Sequence, residues 1–335
     1  MIYEGQNTSK IKIDIRHSKL LKHKLKDNYM RKVLIATDKP FAPVAVKGIK
    51  KVLDEAGYEL VLLEKYTAQS DFVNAVKDVD AVIIRSDIAS REVLESGNRL
   101  KIVVRAGAGY DNIDLQAATE KGIVAMNTPG QNSNAVAELA FGMMVMAARG
   151  FYNGKSGSEL RGKNLGIHAY GNVGKYVALI AKGFGMKIYA YDPFVPADII
   201  MKDGIEPLNT VEELYSKCEY VSLHIPANEK TKKSINFELL SKMPKGATLV
   251  NTARKEVIDE ESLLKIFEAR PDFKYVSDIE PGCKDDIITR FPEKFFFTPK
   301  KMGAQTEEAN INAGIAAANQ IVNFFEKGDV SFKVN

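Results

Sequence analysis

Leu165-Gly166-Ile167-His168-Ala169-Tyr170-Gly171-Asn172-Val173-Gly174 is the stretch whose reading decides the fold. An apolar run leads into a small-residue turn and then into a helical pattern, and the next apolar run closes on Asp192, 23 residues beyond Ala169. A strand, a tight turn, a helix, a second strand and an acid make up a dinucleotide-binding fingerprint. Gly171 lets the backbone approach a pyrophosphate, Gly174 lets the helix pack on the strand, and the turn Tyr170, Gly171, Asn172 and Val173 offers helix N-terminal N–H groups to the phosphates. Asp192 suits the adenosine ribose hydroxyls and repels a 2'-phosphate, which favours NAD over NADP. The motif has one defect, because Ala169 stands where its first glycine belongs. The bland alternative is a tight βα turn with no ligand.

The same rhythm extends in both directions. Upstream lie Val33-Leu34-Ile35-Ala36, Leu60-Val61-Leu62-Leu63, Ala81-Val82-Ile83-Ile84, Lys101-Ile102-Val103-Val104 and Gly122-Ile123-Val124-Ala125, separated by amphipathic segments such as Pro43 to Ala56. Downstream lie Lys187 to Tyr191, Tyr220 to His224, Thr248 to Asn251 and Tyr275 to Asp278. Short continuous apolar runs separated by helices are the pattern of parallel strands buried on both faces. The expected class is α/β with two doubly wound parallel-sheet domains, the second of them a Rossmann domain for NAD. Asn127-Thr128-Pro129-Gly130 interrupts the rhythm, and Asn132-Ser133 offers a cap for a mostly apolar helix from Ala135 to Ala148. The boundaries read as an extension over 1–30, a first domain over 31–129 and an NAD domain over 130–305, with a final helix in 306–335.

Composition narrows the class. An apolar share of 45% and a charged share of 27%, with no apolar run near the roughly 20 residues of a membrane span, indicate a soluble globular protein. Residues 1–32 carry nine Lys or Arg against Glu4, Asp14 and Asp27, so the net charge of +4 leaves the remainder at −2, with no overall basic excess for nucleic acid. The Lys-rich stretch Lys19 to Lys26 is a solvated extension or, less simply, an organelle address. Cys218 and Cys283 form neither a CxxC pair nor a disulfide framework, which fits a reducing, cytoplasmic setting and gives no zinc site.

Five blocks carry a resemblance: Arg105-Ala106-Gly107-Ala108-Gly109-Tyr110-Asp111-Asn112-Ile113-Asp114, Asn127 to Ser133, Leu223-His224-Ile225-Pro226, Asn251-Thr252-Ala253-Arg254 and Gly303-Ala304-Gln305-Thr306-Glu307-Glu308-Ala309. With them the chain, from Lys32 onward, resembles the D-2-hydroxyacid dehydrogenase family, and within it the short members acting on 3-phosphoglycerate. The resemblance implies that 31–129, completed by the C-terminal helix in 306–335, is a flavodoxin-like substrate domain with a cleft between it and the Rossmann NAD domain, that a hydride passes between C2 of a small 2-hydroxy acid and NAD, and that two copies pair through the nucleotide domains. It implies that Arg254 grips the substrate carboxylate and polarises the C2 oxygen, a task that suits a bidentate guanidinium, with a surface ion pair as the plain alternative. It places the N–H groups of Ala108 and Gly109 at the carboxylate, with Asn132 lining the site, and assigns His224, Pro226, Thr231, Thr252, Ala253 and the carboxamide partner Asp278 to the cofactor. Arg85-Ser86 and Arg105 end neighbouring strands, so two cations share a sheet edge and suit a substrate phosphate; the alternative is pairing with Asp87 or Asp111.

The chain departs from the family it resembles at the proton carrier. That residue is a histidine after Thr-Pro near the chain's end, whereas the histidines here are His17, His23, His168 and His224. The sequence reads Thr298-Pro299-Lys300-Lys301-Met302-Gly303, and counting back from Gly303 puts Lys301 in the histidine's place. Lys300, Arg254 and an oxidised nicotinamide all push an amine toward its neutral form, as a base requires. Lys301 is therefore read as the acid/base, or else as an anchor for an anion while water moves the proton, with Lys300 beside the substrate. The family's glutamate partner is doubtful, since Glu280 follows Asp278 too closely. Phosphoglycerate oxidation competes with glyoxylate or hydroxypyruvate reduction, and with an NAD-sensing, corepressor-like binding role.

Overall fold

The computed structural model describes residues 29–335, and the expected N-terminal extension lies almost entirely outside them. Among the described residues, twelve strands form two wholly parallel sheets. The first contains β1 (Lys32–Thr37), β2 (Glu59–Glu64), β3 (Ala81–Ile84), β4 (Ile102–Arg105) and β5 (Val124–Asn127), in the order β2-β1-β3-β4-β5. The second contains β6 (Asn164–His168), β7 (Lys187–Tyr191), β8 (Glu206–Pro207), β9 (Tyr220–Leu223), β10 (Thr248–Asn251), β11 (Lys274–Ser277) and β12 (Phe295–Phe297), in the order β12-β11-β10-β9-β6-β7-β8. The chain order reverses between β1 and β3 and between β6 and β9, and such switch points open a crevice at the carboxyl ends of the strands.

The apolar runs are continuous because both faces of each sheet are covered. Leu34, Ala36, Val82, Ile84, Val103 and Ala125 face one helical layer, with Phe72, Leu94 and Ala117. Their immediate neighbours Val33, Ile35, Ala81, Ile83, Ile102, Val104 and Met126 face the other, with Ala45, Ile49 and Leu53. That alternation is the two-residue period of a strand. Ala317, Ala318 and Ile321 of the C-terminal helix Glu307–Lys327 belong to this second layer, so the chain returns to the first sheet after completing the second. The tail then covers the free edge of β5: Met126 pairs antiparallel with Lys333, and Val334 N–H donates to the Ala125 carbonyl at 2.9 Å.

The helix Ser133–Ala148 is buried through Ala137, Ala140, Phe141, Met144 and Ala147 against Leu165, Ile167, Val250 and Val276 of the second sheet. The expected cap is not made: Asn132 precedes the helix without a side-chain cap hydrogen bond. Two short edge strands, β8 and β12, extend the second sheet beyond the expected runs.

Candidate active site

The fingerprint turn shows the physical reason for each of its residues. A Cβ at Gly174 would lie 2.5 Å from the Ala169 carbonyl oxygen and 3.0 Å from Ile167 Cγ2, so only glycine lets this helix close on β6. A Cβ at Gly171 would meet nothing within 4 Å, which leaves the backbone there open to a ligand. The helix Asn172–Gly183 follows, and its first N–H groups, at Asn172 and Val173, have no acceptor within the helix. Asp192 accepts from Tyr170 N–H through Oδ2 and from Phe194 N–H through Oδ1, both at 2.8 Å, so it pins the turn from the next strand.

Ala169 occupies its position at φ +80°, a conformation that costs an alanine about 1–2 kcal/mol. Its N–H bond to Tyr191 O and the neighbouring Tyr170–Asp192 bond hold it there. Ala169→Gly is expected to stabilise the protein by about 1 kcal/mol after the extra freedom of glycine in the unfolded chain is counted. Urea unfolding checks this, and an unchanged or lower midpoint at equal slope would contradict it.

His168 and His224 stand on either side of the β6–β9 switch point, joined by His224 N–H to His168 O at 2.9 Å. Burial pushes the His168 imidazole down to about 4, partly opposed by Asp192, and His168 Nδ1 lies 3.3 Å from the Tyr215 hydroxyl. Burial, and then His168, push half-buried His224 down to about 3. His224 Nδ1 lies 3.3 Å from Thr252 Oγ1, while its buried Nε2 has no partner. A neutral, under-satisfied imidazole beside an open glycine turn fits a ligand rich in hydroxyl and phosphate groups, as NAD is. Thr231 fastens the loop after β9 by donating to the Pro226 carbonyl, and Thr252 and Ala253 are buried at the end of β10.

Asn251 organises the next turn. Its side chain accepts from Ala253 N–H and donates to the Arg254 carbonyl, both at 3.0 Å. The Ala253 carbonyl in turn accepts from Arg254 Nη1 at 3.0 Å and from Lys301 Nζ at 2.7 Å, so one oxygen holds guanidinium and amine side by side. The Lys301 stem is exposed, but its amine is drawn against the protein, where desolvation and then Arg254 push it down to about 8, opposed by Asp278 and Glu256. Asp278 is buried, and its carboxylate accepts from Thr298 Oγ1, Met302 N–H and Gly303 N–H. The residue expected at the carboxamide thus also shapes the turn that presents Lys301. A Cβ at Gly303 would fall 2.8 Å from Asp278 Oδ2, which explains the glycine. Glu280 is bonded to Lys284 at 2.7 Å, and Lys300 is exposed.

Arg85, Ser86, Arg105, Gly107, Asn132, Gln305 and Asn310 line a cavity of about 100 Å³. Arg105 donates through Nε to the Arg85 carbonyl at 3.1 Å and lies over Gly107, where a Cβ would collide with its guanidinium. Burial lowers the pKa of Arg105, with Arg85 and Arg254 acting in the same direction and Asp111 opposing. Neither Arg85 nor Arg105 forms an ion pair among the described residues; Asp87 instead accepts from Asp38 N–H and the Tyr66 hydroxyl. Arg85 stacks on Phe41 and donates to Asn310 Oδ1 at 2.7 Å and to the carbonyls of Lys39 and Pro40. Nothing in the local sequence of Lys39 or Asn310 marks either as a neighbour of Arg85. Ala108 is exposed and Gly109 half-buried, and neither N–H donates within the protein among the described residues.

Residues 134–299 match the model of the "D-isomer specific 2-hydroxyacid dehydrogenase, NAD binding domain". The chain is 48% identical to an NAD+-bound 3-phosphoglycerate dehydrogenase of Entamoeba histolytica, with a TM-score of 0.79 over 92% of this chain and 99% of that one. It is 37% identical over 288 residues to D-3-phosphoglycerate dehydrogenase of Methanocaldococcus jannaschii, covering 81% of this chain and 54% of that protein, so it spans about half the length of that relative. It is 36% identical over 285 residues to hydroxypyruvate reductase of Thermotoga maritima, covering 78% of this chain and 90% of that protein.

Proposed function

The chain belongs to the D-isomer specific 2-hydroxyacid dehydrogenase family, and from that premise we propose that it oxidises D-3-phosphoglycerate at C2 with NAD. The observation that carries the substrate is the cationic cavity: Arg85 and Arg105 share its wall with no ion-pair partner among the described residues, and Arg254 is near enough to act on the charge of Arg105. A dianionic phosphate at one end and a carboxylate at the other match that charge. The similarity to two 3-phosphoglycerate dehydrogenases agrees with this reading.

In this reading Arg254 binds the carboxylate and the C2 oxygen, and the Ala108 and Gly109 N–H groups complete the carboxylate cradle. Lys301, neutral above about pH 8, takes the proton from the C2 hydroxyl as the C2–H bond breaks. NAD, when bound at the Tyr170–Gly174 turn, supplies the hydride acceptor. The products are the 2-oxo acid, reduced cofactor and a proton carried away by the Lys301 amine. In the opposite direction the protonated amine returns that proton.

One observation favours a second reading. Arg85 already donates to three protein acceptors, so its capacity for a phosphate is reduced, and an unphosphorylated hydroxypyruvate or glyoxylate would leave those bonds intact. NADH formation at pH 9 with 3-phosphoglycerate, set against glycerate, lactate and glycolate, separates the two. Preference for 3-phosphoglycerate that Arg85→Met abolishes supports the first; turnover indifferent to the phosphate overturns it.

Exposed Tyr176, Leu179 and Phe184 on and just after the helix of the fingerprint, with Tyr152 nearby in the chain, support pairing of two copies through their nucleotide domains. Light scattering should give twice the chain mass of 37.1 kDa, and a monomer at micromolar concentration would overturn the pairing. A reducing, cytoplasmic setting suits the two free cysteines, of which Cys218 is buried. No described helix is long and apolar enough to cross a membrane.

A further inference from the structure

The two N–H groups assigned to the carboxylate are aimed from behind. A trans peptide unit holds its C=O and its N–H on opposite sides, so fixing the carbonyl of one residue fixes the direction of the next N–H. The carbonyl that shares a peptide with Ala108 N–H is that of Gly107, and it accepts from Thr128 N–H at 3.0 Å. The carbonyl that shares a peptide with Gly109 N–H is that of Ala108, and it accepts from Asn127 Nδ2 at 2.6 Å. Both anchors come from the last residue of β5 and the one after it, and both anchored peptides leave N–H groups that bond to nothing within the described protein.

Asn127 is itself held. Its side chain is buried, and its main-chain carbonyl accepts from Gln320 Nε2 at 2.9 Å, from the helix that returns to the first sheet after the chain has completed the second. The turn Arg105–Tyr110 gains further purchase from Gly107 N–H to Arg105 O at 2.8 Å and Ala106 N–H to Ile84 O at 2.8 Å. The one side-chain bond that orients the cradle peptides is therefore that of Asn127.

We infer that Asn127 is a positioning residue for the reaction: by gripping the Ala108 carbonyl it turns the Gly109 N–H, and with Thr128 the Ala108 N–H, toward the substrate carboxylate. It touches neither substrate nor cofactor. The inference rests on the reading of Ala108 and Gly109 as the carboxylate cradle.

The test compares Asn127→Leu, which keeps the side chain's approximate size without the donor, with the unaltered protein. Steady-state kinetics with the preferred 2-hydroxy acid are combined with NADH binding followed by fluorescence, and with oxamate binding to the NADH complex by calorimetry. The expected result is a roughly tenfold or greater rise in KM and in the oxamate dissociation constant, a smaller change in kcat, and NADH affinity within about twofold, the loss expected when one oriented donor is misdirected. Should Asn127→Leu fail to bind NADH, Asn127→Asp is the second variant; it sets an acceptor against the Ala108 carbonyl at neutral pH and is expected to raise KM at least as far. Normal KM and oxamate affinity in either folded variant overturn the positioning role. Arg254→Met in parallel separates the two levels of the argument: if it too leaves oxamate affinity intact, the carboxylate reading of the cleft has failed, whereas loss in Arg254→Met alone sinks only the role of Asn127.

Discussion

Arg254→Met is expected to lower kcat/KM for the 2-hydroxy acid roughly a thousandfold while leaving NADH affinity near its starting value. Two charge-assisted hydrogen bonds of about 1.5–3 kcal/mol each are lost, and each 1.36 kcal/mol is a factor of ten. The guanidinium contributes little to the packing: it is exposed, its backbone turn is stapled by Asn251, and its side-chain bond among the described residues is to the adjacent Ala253 carbonyl. Arg254→Lys keeps the charge but not the planar fork, and should recover only part of the loss. A second consequence distinguishes an electrostatic neighbour from a bystander. Arg254 is among the causes that lower the Lys301 pKa, so its removal should move the ascending limb of the oxidation pH profile to higher pH. Unchanged kcat/KM together with an unmoved limb would remove Arg254 from the site.

The fold was readable wherever burial on both faces made a strand apolar throughout, as in Val33-Leu34-Ile35-Ala36 or Ala81-Val82-Ile83-Ile84. The edges were not. Glu206–Pro207 is two residues long, and Phe295–Phe297 is only half-buried, so neither carries a two-sided signal. Ala169 was visible as a missing glycine, but its strained φ is set by bonds to Tyr191 and to the peptide pinned by Asp192, which no local pattern reveals. Asn132 reads as a helix cap by residue type, yet its side chain makes no cap bond and lines the cavity with Arg85 and Arg105. The arginines themselves follow from strand ends; what holds them does not. Asn310, bonded to Arg85, lies 225 residues away, and Gln320, bonded to Asn127, lies 193 residues away. Those contacts exist because the C-terminal helix packs on the first sheet, and only assembled tertiary structure brings them to the cleft.

Lys301→Met should lower the rate of 2-hydroxy acid oxidation by two to four orders of magnitude, the usual span for a positioned acid or base. The amine is suited to the task by its place. Desolvation against the Ala253 carbonyl and the charge of Arg254 both disfavour the ammonium form and bring it to about 8, while Asp278 and Glu256 resist. The sign follows directly. Oxidation needs the neutral amine to accept the hydroxyl proton, so kcat/KM for oxidation should rise through an apparent pKa near 8 and level above it. Reduction needs the ammonium to donate, so its kcat/KM should level below that value and fall as pH climbs past it. A bound anionic substrate favours the ammonium, so the pKa seen in kcat should lie above the one seen in kcat/KM. Lys301→Met should flatten both profiles in this range and leave oxamate binding weakened but measurable, because Arg254 and the cradle N–H groups remain. An anchoring role would show the reverse division: oxamate affinity would collapse, and the pH dependence of the residual turnover would persist. Primary isotope effects with C2-deuterated substrate sharpen the choice. If proton transfer by Lys301 accompanies C–H cleavage, the variant should show an effect at least as large as the parent, since the chemical step then limits turnover more completely.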